Sequence, residues 1–343
     1  MADFSQYGGV AAEWELLVES QPQVELPADI TPIELQRLTN ETRALAAQKL
    51  VQGVEKYTNP TATKDDVVKE DFDIQVDSDH VITLRVYKRK ATDSTPGKRP
   101  VYVWFHGGGF LFGTFDGEDG HAFNVVKNLD IVVVHVCYRH TPEIAWPTPR
   151  EDALVGLDWV FEHIDALGGD PDKVLVAGRS AGGLLSAIVA LQDREKHDKN
   201  RVRGQILDIP VLSHSANFPV DLILPGKGSY EENRFAPLLP TARLDLFESL
   251  LGEEAKADRL YNILLEPDEN LRGSPPTHFH IAGRDILRDQ SFLFMAKLQR
   301  LGVSTSFNVY QGVPHGFRRY GELEASKRWD RDHFDAIRNI LGP

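Results

Sequence analysis

The sequence predicts an α/β fold, with a mostly parallel central sheet and helices on both faces. Beyond residue 97, short apolar runs without a two-residue period alternate with helical patterns. Such runs indicate strands that are covered on both faces. One run leads into Gly178-Arg179-Ser180-Ala181-Gly182, which predicts an abrupt turn from strand to helix. The length of 343 residues is typical of one elaborated α/β domain.

The N-terminal region is predicted to contain helices followed by a hairpin. Residues 1–55 carry apolar side chains at helical spacing, on both sides of a proline-containing turn. These side chains are Trp14, Leu16, Leu17, Val18, Ile33, Leu35, Leu38, Leu45 and Leu50. Residues 71–76 and 80–87 instead alternate between apolar and polar, which predicts two strands at a sheet edge.

The remaining chain supplies the other strands and a late insertion. Strands are predicted at 101–105, 131–137, 174–178, 204–209, 277–282 and 305–310, and helices at 151–166, 183–194, 288–301 and 325–340. Between 211 and 270 the alternation fails, with helical patterns only at 241–251 and 254–262. A late insertion usually lies over the carboxyl ends of the strands. We therefore expect 211–270 and 1–55 to form a helical cap over a core of 56–210 and 271–343. The alternative, that both segments merely extend the core, stays open.

The charge balance argues against nucleic acid as a partner. The chain has 38 Lys and Arg against 51 Asp and Glu, a net charge of −13, and this excess repels polyanions. No stretch approaches the ~20 apolar residues of a membrane span, and the first residues lack the features of a secretory signal. The single cysteine, Cys137, lies in an apolar run and is expected to be a buried, unreactive side chain. A cytoplasmic location fits these features.

Ser180 is the candidate nucleophile. In a G-x-S-x-G turn the serine hydroxyl is exposed above the sheet edge, and the flanking glycines let strand and helix approach closely. The five-residue pattern alone is common by chance, so its context decides. About 70 residues earlier, a predicted strand runs into His106-Gly107-Gly108-Gly109-Phe110. Three glycines free the backbone to point N–H groups at an anionic intermediate, although a merely flexible loop is the alternative. His106 is expected to fix this loop rather than to transfer protons.

A serine nucleophile needs a base and a group that orients the base. His315 follows the last predicted strand, at the sheet edge where the serine lies, and is the candidate base. A histidine that only forms local hydrogen bonds is the alternative. Asp285 ends the preceding strand and is the candidate acid. After a serine turn of this type, the acid comes between the serine and the histidine in the chain. Asp289 is its competitor, but a carboxylate there also favours the helix dipole.

These residues together resemble the hormone-sensitive lipase family of α/β-hydrolases, which includes microbial and plant carboxylesterases. The matching landmarks are 106–110, Tyr138-Arg139, Pro142-Glu143, Pro147, Glu151-Asp152, Asp170-Pro171, 178–183, Asp285, 287–289 and 314–317. The resemblance implies an α/β-hydrolase fold and an ester hydrolase that works through an acyl-serine. By analogy, Ser180 attacks the carbonyl, His315 shuttles the proton and Asp285 holds the imidazole.

The family pattern also implies an oxyanion hole. The N–H groups of Gly108, Gly109 and Ala181 would bind the oxyanion, and Gly107 would let the loop reach it. The substrate implied is a small or medium hydrophobic ester. More loosely, the chain resembles esterases of fungal secondary-metabolite pathways.

Three positions depart from the family pattern. Arg179 stands where an acidic residue is frequent, Ile286 replaces a frequent proline, and His140-Thr141 replaces a more apolar pair. None of these changes removes a catalytic group. Substrate choice is expected to depend on the cap and on the surroundings of Arg179.

The sequence indicates neither a metal site nor a cofactor. His278 and His280 share one face of a strand, but no third ligand can be placed beside them. The glycine loop at 106–109 lacks the Lys and Ser/Thr of a phosphate-binding loop.

Two other functions remain open. The same residues could carry out acyl transfer, elimination or cyclisation if the cap excludes water. A non-catalytic ligand-binding receptor of this fold is the second alternative, and His315 argues against it because such receptors lack the histidine. The sheet edge or the C-terminal helix could support a homodimer, and the sequence leaves the oligomeric state undecided.

Overall fold

One eight-stranded sheet organises the chain in the computed structural model, which describes residues 1–20, 30–54, 67–90 and 97–342. The strands are β1 (Val67–Gln75), β2 (Val81–Arg89), β3 (Arg99–Phe105), β4 (Val132–Cys137), β5 (Gly169–Arg179), β6 (Val202–Asp208), β7 (Thr277–Arg284) and β8 (Thr305–Pro314). Their spatial order is β1-β2-β4-β3-β5-β6-β7-β8. The first two strands are antiparallel to their neighbours, and all others are parallel. The predicted α/β fold with a mostly parallel sheet is confirmed.

Eleven helices accompany the sheet in the described part of the chain. They are α1 (Ala12–Ser20), α2 (Pro32–Val54), α3 (Phe115–Leu129), α4 (Thr148–Glu162), α5 (Ala181–His197), α6 (Ser229–Glu232), α7 (Thr241–Leu251), α8 (Glu253–Ala257), α9 (Asp268–Leu271), α10 (Arg288–Arg300) and α11 (Glu324–Leu341). Of these, α3, α4, α5, α10 and α11 pack on the two faces of the sheet. Side chains of β3 alternate between the two faces. Val101 and Val103 belong to an apolar cluster that includes residues of α4, α5 and α10, whereas Tyr102 and Trp104 belong to a cluster with residues of α3 and α11. Burial on both faces explains why the strands read as continuous apolar runs.

Several helical segments differ from the sequence prediction, and the short helices α6 and α9 were not predicted. Helix α3 was not predicted, because its two glycines at 117 and 120 weaken the helical pattern. Thr114 caps it by accepting a hydrogen bond from the Gly117 N–H at 3.2 Å. The predicted helix at 254–262 is wrong beyond Ala257, where α8 ends. There the Asp258 carboxylate accepts from the Leu260 N–H at 2.7 Å, and such local side-chain bonds compete with a helix.

The N-terminal segment and residues 211–270 lie together at one end of the sheet. Ala2 forms a parallel bridge with Ile223, and the Asn40 side chain of α2 accepts from the Gly113 N–H at 3.0 Å. Phe247 of α7 packs over the glycine loop that follows β3. The exact division into cap and core stays a prediction.

The predicted apolar stripe of 1–55 is only partly buried. Trp14, Leu17 and Leu35 are buried, whereas Leu16 and several others are exposed. The other exposed members are Val18, Ile33 and Leu45. The Leu50 side chain lies outside the described residues. These helices therefore cover the protein through a few anchoring side chains rather than through the whole stripe.

Cys137 is the last residue of β4 and is half-buried. Burial raises the pKa of its thiol to about 12, so the thiol stays protonated and unreactive near neutral pH. Among the described helices, none is both long enough and apolar enough to cross a bilayer.

Candidate active site

Ser180 occupies the sharp turn between β5 and α5. Its backbone has φ = +54° and ψ = −114°, an unfavourable conformation for a residue with a side chain. The surroundings hold it there, because its N–H donates to the Asp208 carbonyl at 2.8 Å and its carbonyl accepts from the Val211 N–H at 3.3 Å. The neighbouring strand thus fixes the strained turn.

Close backbone contacts explain the glycines on either side of Ser180. A Cβ atom at Gly178 would lie 2.1 Å from the Gly182 carbonyl oxygen, and one at Gly182 would lie 2.0 Å from the Phe105 carbonyl oxygen. Neither position can hold a side chain without moving backbone. These glycines bring the turn against the end of β3, where the glycine loop begins.

The three side chains singled out in the sequence form one hydrogen-bonded chain. His315 Nε2 lies 3.0 Å from Ser180 Oγ, and His315 Nδ1 lies 2.7 Å from Asp285 Oδ2. The carboxylate is buried, and its other oxygen accepts from the Leu287 N–H at 2.9 Å. Because a carboxylate only accepts, Nδ1 carries the imidazole proton and Nε2 can accept the proton of the serine.

The competing acid, Asp289, is engaged elsewhere. Its carboxylate is completely buried and accepts from the Ser229 N–H at 2.7 Å and from Arg288 Nε at 2.9 Å. Arg288 also reaches Glu232. Asp289 therefore fastens α10 to α6, and the chain that reaches His315 runs through Asp285.

The glycine loop presents backbone N–H groups beside Ser180. Gly108 and Gly109 have φ values of +145° and +62°, and a Cβ at Gly108 would lie 2.1 Å from the Phe112 carbonyl oxygen. Across the described part of the chain, the N–H groups of Gly108, Gly109 and Ala181 donate to no protein acceptor. Gly107 is equally confined, because a Cβ there would lie 2.8 Å from the Arg179 carbonyl oxygen.

His106 supports the loop from below. It is buried, stacks on Tyr138 at 4.4 Å, and receives the Tyr138 hydroxyl on its carbonyl oxygen at 2.8 Å. Burial, with His140 nearby, lowers its pKa well below the usual value, so the ring is neutral. A Cβ atom at Gly113 would lie 1.9 Å from Cε1 of this ring, so the ring packs against the loop, which agrees with its expected role in fixing it.

A small apolar pocket opens at Ser180. Its cavity volume is about 10 Å³, room for roughly one water molecule. The residues around it are Gly109, Phe110, Ser180, Ala181, Val211, Leu239, Leu244, Phe247, Tyr261 and Leu287. The 211–270 segment contributes Val211, Leu239, Leu244, Phe247 and Tyr261. Sequence reasoning missed them, since nothing in a helical pattern shows which apolar side chain faces a serine.

Arg179 points away from this pocket. Its Nε donates to Asp208 Oδ2 at 2.7 Å, and its guanidinium lies 5.5 Å from the Trp104 ring and 5.4 Å from the Trp329 ring. Trp329 Nε1 donates to the other Asp208 oxygen at 3.0 Å. The charge of Arg179 is thus neutralised by Asp208, on the side of the sheet where Trp329 of α11 lies. Arg179 does not line the pocket, so no direct contact supports its expected influence on substrate choice.

The two strand histidines belong to a buried hydrogen-bonded cluster. His280 Nε2 lies 3.1 Å from His333 Nδ1, and His280 Nδ1 lies 3.0 Å from the Tyr310 hydroxyl. His278 Nδ1 lies 2.7 Å from Ser306 Oγ. These contacts occupy ring nitrogens with protein partners, as expected for structural histidines.

One group of side chains has the composition of a metal site. Within the described chain, Asp158, Asp193 and His197 bring ligand-type atoms together on α4 and α5. Arg201 already forms hydrogen bonds with both carboxylates. This group lies away from Ser180 and is satisfied by an arginine.

Comparison with known proteins identifies the family. A family model described as alpha/beta hydrolase fold matches residues 102–319, well over half of the chain. The chain belongs to the α/β hydrolase family. The predicted fold and the predicted relationship to carboxylesterase-like α/β hydrolases are thereby confirmed.

Individual relatives of this α/β hydrolase include esterases. It is 29% identical to versiconal hemiacetal acetate esterase of Dothistroma septosporum over 303 residues, which cover 88% of each chain. It is 32% identical to esterase LipI of Mycobacterium tuberculosis over 247 residues, which cover 71% of this chain and 73% of LipI. Among solved structures, vibralactone cyclase superposes with a TM-score of 0.88 and 25% identity, over 98% of this chain and 96% of the cyclase.

Proposed function

We propose that this protein is a serine carboxylesterase that hydrolyses small to medium hydrophobic esters through an acyl-enzyme. The observation that carries the proposal is the unbroken chain from Ser180 Oγ through His315 to Asp285, with separations of 3.0 and 2.7 Å. It lies beside N–H groups that have no acceptor among the described residues. Its relatives named as esterases support the same reaction.

In the first half-reaction, Ser180 Oγ attacks the ester carbonyl carbon while its proton passes to His315 Nε2. Asp285 holds the ring and stabilises the imidazolium that forms. The carbonyl oxygen becomes an oxyanion, which accepts hydrogen bonds from the N–H groups of Gly108, Gly109 and Ala181. Collapse breaks the ester C–O bond, and the departing oxygen takes the proton from His315. An alcohol leaves, and Ser180 carries the acyl group.

In the second half-reaction, water replaces the serine as nucleophile. His315 takes a proton from the water, the oxyanion forms again at the same N–H groups, and collapse returns the proton to Ser180 Oγ. A carboxylic acid is released. The free enzyme is restored without any cofactor.

The pocket at Ser180 sets the expected acyl size. Its walls are apolar, and Phe247 and Tyr261 close it from the cap side. A cavity this small and apolar favours a short acyl chain over a long one. We therefore expect a preference for acetyl to hexanoyl esters over longer ones. The name of the Dothistroma relative specifies an acetate, which agrees with this size.

The direct test is hydrolysis of p-nitrophenyl esters from acetate to decanoate. Ser180→Ala should lower kcat/KM by about 10⁴-fold or more. Ser249→Ala is the matched control, because Ser249 is exposed on α7 and bonds only to a carbonyl of its own helix. Equal turnover by wild-type protein and the Ser180→Ala variant would overturn the proposal.

A second candidate is cyclisation by the same residues. The likeness to vibralactone cyclase, with a TM-score of 0.88 along 98% of the chain, favours it. In that reaction a hydroxyl of the acyl group, rather than water, would attack the acyl-serine and release a lactone. Incubation with p-nitrophenyl 5-hydroxypentanoate separates the two. Release of δ-valerolactone faster than the uncatalysed reaction supports cyclisation, and release of the free hydroxy acid supports hydrolysis.

A further inference from the structure

Three arginines from separate parts of the chain flank the Ser180 site. Arg43 lies on α2, Arg243 on α7, and Arg319 in the turn after His315. The net charge of the protein is −13. A group of cations at one place in such a protein creates a local field of opposite sign.

Arg43 borders the oxyanion loop. Its Nη1 donates to the Gly107 carbonyl at 3.3 Å, and its guanidinium lies 5.2 Å from the centre of the Phe112 ring. Phe112 in turn packs on Phe247, which closes the pocket, at 5.6 Å. The arginine therefore stands at the rim of the pocket on the side of the glycine loop.

Arg319 and Arg243 border the same opening from the side of His315. A Cβ at Gly316 would lie 3.8 Å from Arg319 Nη2 and 4.0 Å from the Leu238 side chain. Arg243 Nη1 donates to the Leu238 carbonyl at 2.8 Å. Leu238 thus lies near both arginines. Leu239, which follows Leu238, and Leu244, which follows Arg243, line the pocket.

None of the three forms an ion pair with a carboxylate within the described part of the chain, although Glu118 lies close enough to Arg43 to attract its charge. Other half-buried arginines do form ion pairs: Arg179 binds Asp208, and Arg318 binds Asp330. Desolvation at its half-buried position, with Arg319 nearby, lowers the pKa of Arg43 to about 9. All three side chains keep contact with solvent. A ligand in solution can therefore reach them.

We propose that Arg43, Arg243 and Arg319 form an anion-binding subsite, and that the preferred ester carries an anionic group on the part that stays outside the apolar pocket. A guanidinium presents several N–H donors in one plane, which matches a carboxylate or a phosphate. Each arginine spends at most one donor on a protein carbonyl. Because the subsite borders Ser180, this inference rests on the proposed esterase function.

The test compares two acetate esters of one shape and different charge, 4-acetoxybenzoate and 4-acetoxybenzamide. The wild-type protein should have a KM about tenfold lower for the benzoate. Arg243→Gln and Arg319→Gln should each raise the KM for the benzoate about tenfold and change that for the amide less than twofold. Arg37→Gln is the matched control, because Arg37 is exposed on α2 and paired with Glu41 at 2.8 Å. We leave Arg43 unchanged, since its bond to Gly107 also supports the oxyanion loop.

A third ester, 4-acetoxyphenyl phosphate, identifies the anion. A KM below that of the benzoate indicates a phosphate group, and a KM between those of the benzoate and the amide indicates a carboxylate. Equal KM values for benzoate and amide in the wild-type protein would overturn the subsite. An equal rise for both esters in the arginine variants would do the same.

Calorimetric titration of the Ser180→Ala variant separates this inference from the esterase proposal. Tighter binding of the benzoate than of the amide, lost in Arg319→Gln, supports the subsite even if no ester is hydrolysed. Hydrolysis of both esters with equal binding leaves the esterase intact and overturns the subsite.

Discussion

The Phe247 ring occupies the space that a side chain on Gly109 would fill. A Cβ atom at Gly109 would lie 2.2 Å from Cδ2 of Phe247, and Gly109 has φ = +62°. The residue on α7 and the residue after β3 are 138 positions apart, yet they shape one wall of the pocket at Ser180. The cap and the proposed oxyanion loop are therefore fitted to each other.

Shortening this aromatic side chain should enlarge the pocket. We expect Phe247→Ala to raise kcat/KM for p-nitrophenyl octanoate relative to the acetate by about tenfold, because room for each added CH₂ group is worth about 0.8 kcal/mol of burial. Kinetics on the ester series measure this ratio. Phe235→Ala is the control, since Phe235 is 83% exposed. An unchanged ratio in Phe247→Ala would show that another wall limits the acyl chain.

The two aspartates near the end of β7 should respond differently to loss of charge. Asp285→Asn is expected to lower kcat about 10³- to 10⁴-fold, because the amide favours the wrong tautomer of His315. Asp289→Asn should mainly lower stability, since Asp289 binds Arg288 and Ser229 and makes no bond to the histidine. Turnover per folded molecule and the denaturation midpoint distinguish the two effects. A larger loss of kcat in Asp289→Asn than in Asp285→Asn would contradict the assignment.

The ion pair between Arg179 and Asp208 should make the effects of mutating its two members on the free energy of unfolding interdependent. Asp208 is buried, and Asp208→Asn leaves Arg179 without its anionic partner, which we expect to cost about 3 to 5 kcal/mol. The bond from Trp329 to the retained oxygen can persist. The double variant Arg179→Gln/Asp208→Asn should lose at least about 1 kcal/mol less than the sum of the single losses. Guanidinium unfolding of the wild type, the two single variants and the double variant measures this coupling. Strictly additive losses of unfolding free energy would exclude it.

The buried histidines should make the fold sensitive to mild acid. Burial, with other histidines nearby, lowers the pKa values of His280 and His333 well below 6.5. In the unfolded chain these rings regain protons below about pH 6.5. The unfolded state then binds more protons than the folded state, so the free energy of unfolding falls as the pH decreases.

Removing one of these rings tests the effect. Between pH 7.5 and 5.5, His333→Gln should lose about 1.4 kcal/mol less stability than the wild-type protein. Chemical denaturation at the two pH values gives both differences. The same pH dependence in the two proteins would mean that His333 is not held neutral in the fold.

The strands were predictable because burial on both faces leaves a continuous apolar run in the local sequence. Residues of β3 are buried on both faces, so the run Val101-Tyr102-Val103-Trp104-Phe105 is apolar throughout. Helix α3 was missed because its helicity depends on packing, through Ala122, Val125 and Val126, more than on propensity. The cytoplasmic location, the homodimer and the absence of nucleic acid as a partner stay predictions.

The sequence by itself determined the fold class and the residues proposed for the chemistry. Ser180, Asp285 and His315 could be found because backbone requirements mark each place: a glycine-flanked turn or the end of a parallel strand. The tertiary structure alone decided which acid faces His315, where Arg179 finds its counter-charge, and which side chains form the pocket. Contacts such as Phe247 with Gly109, or Arg43 with Gly107, join segments far apart in the chain. Their partners are set by how helices pack over the sheet, and no local pattern of residues encodes that arrangement.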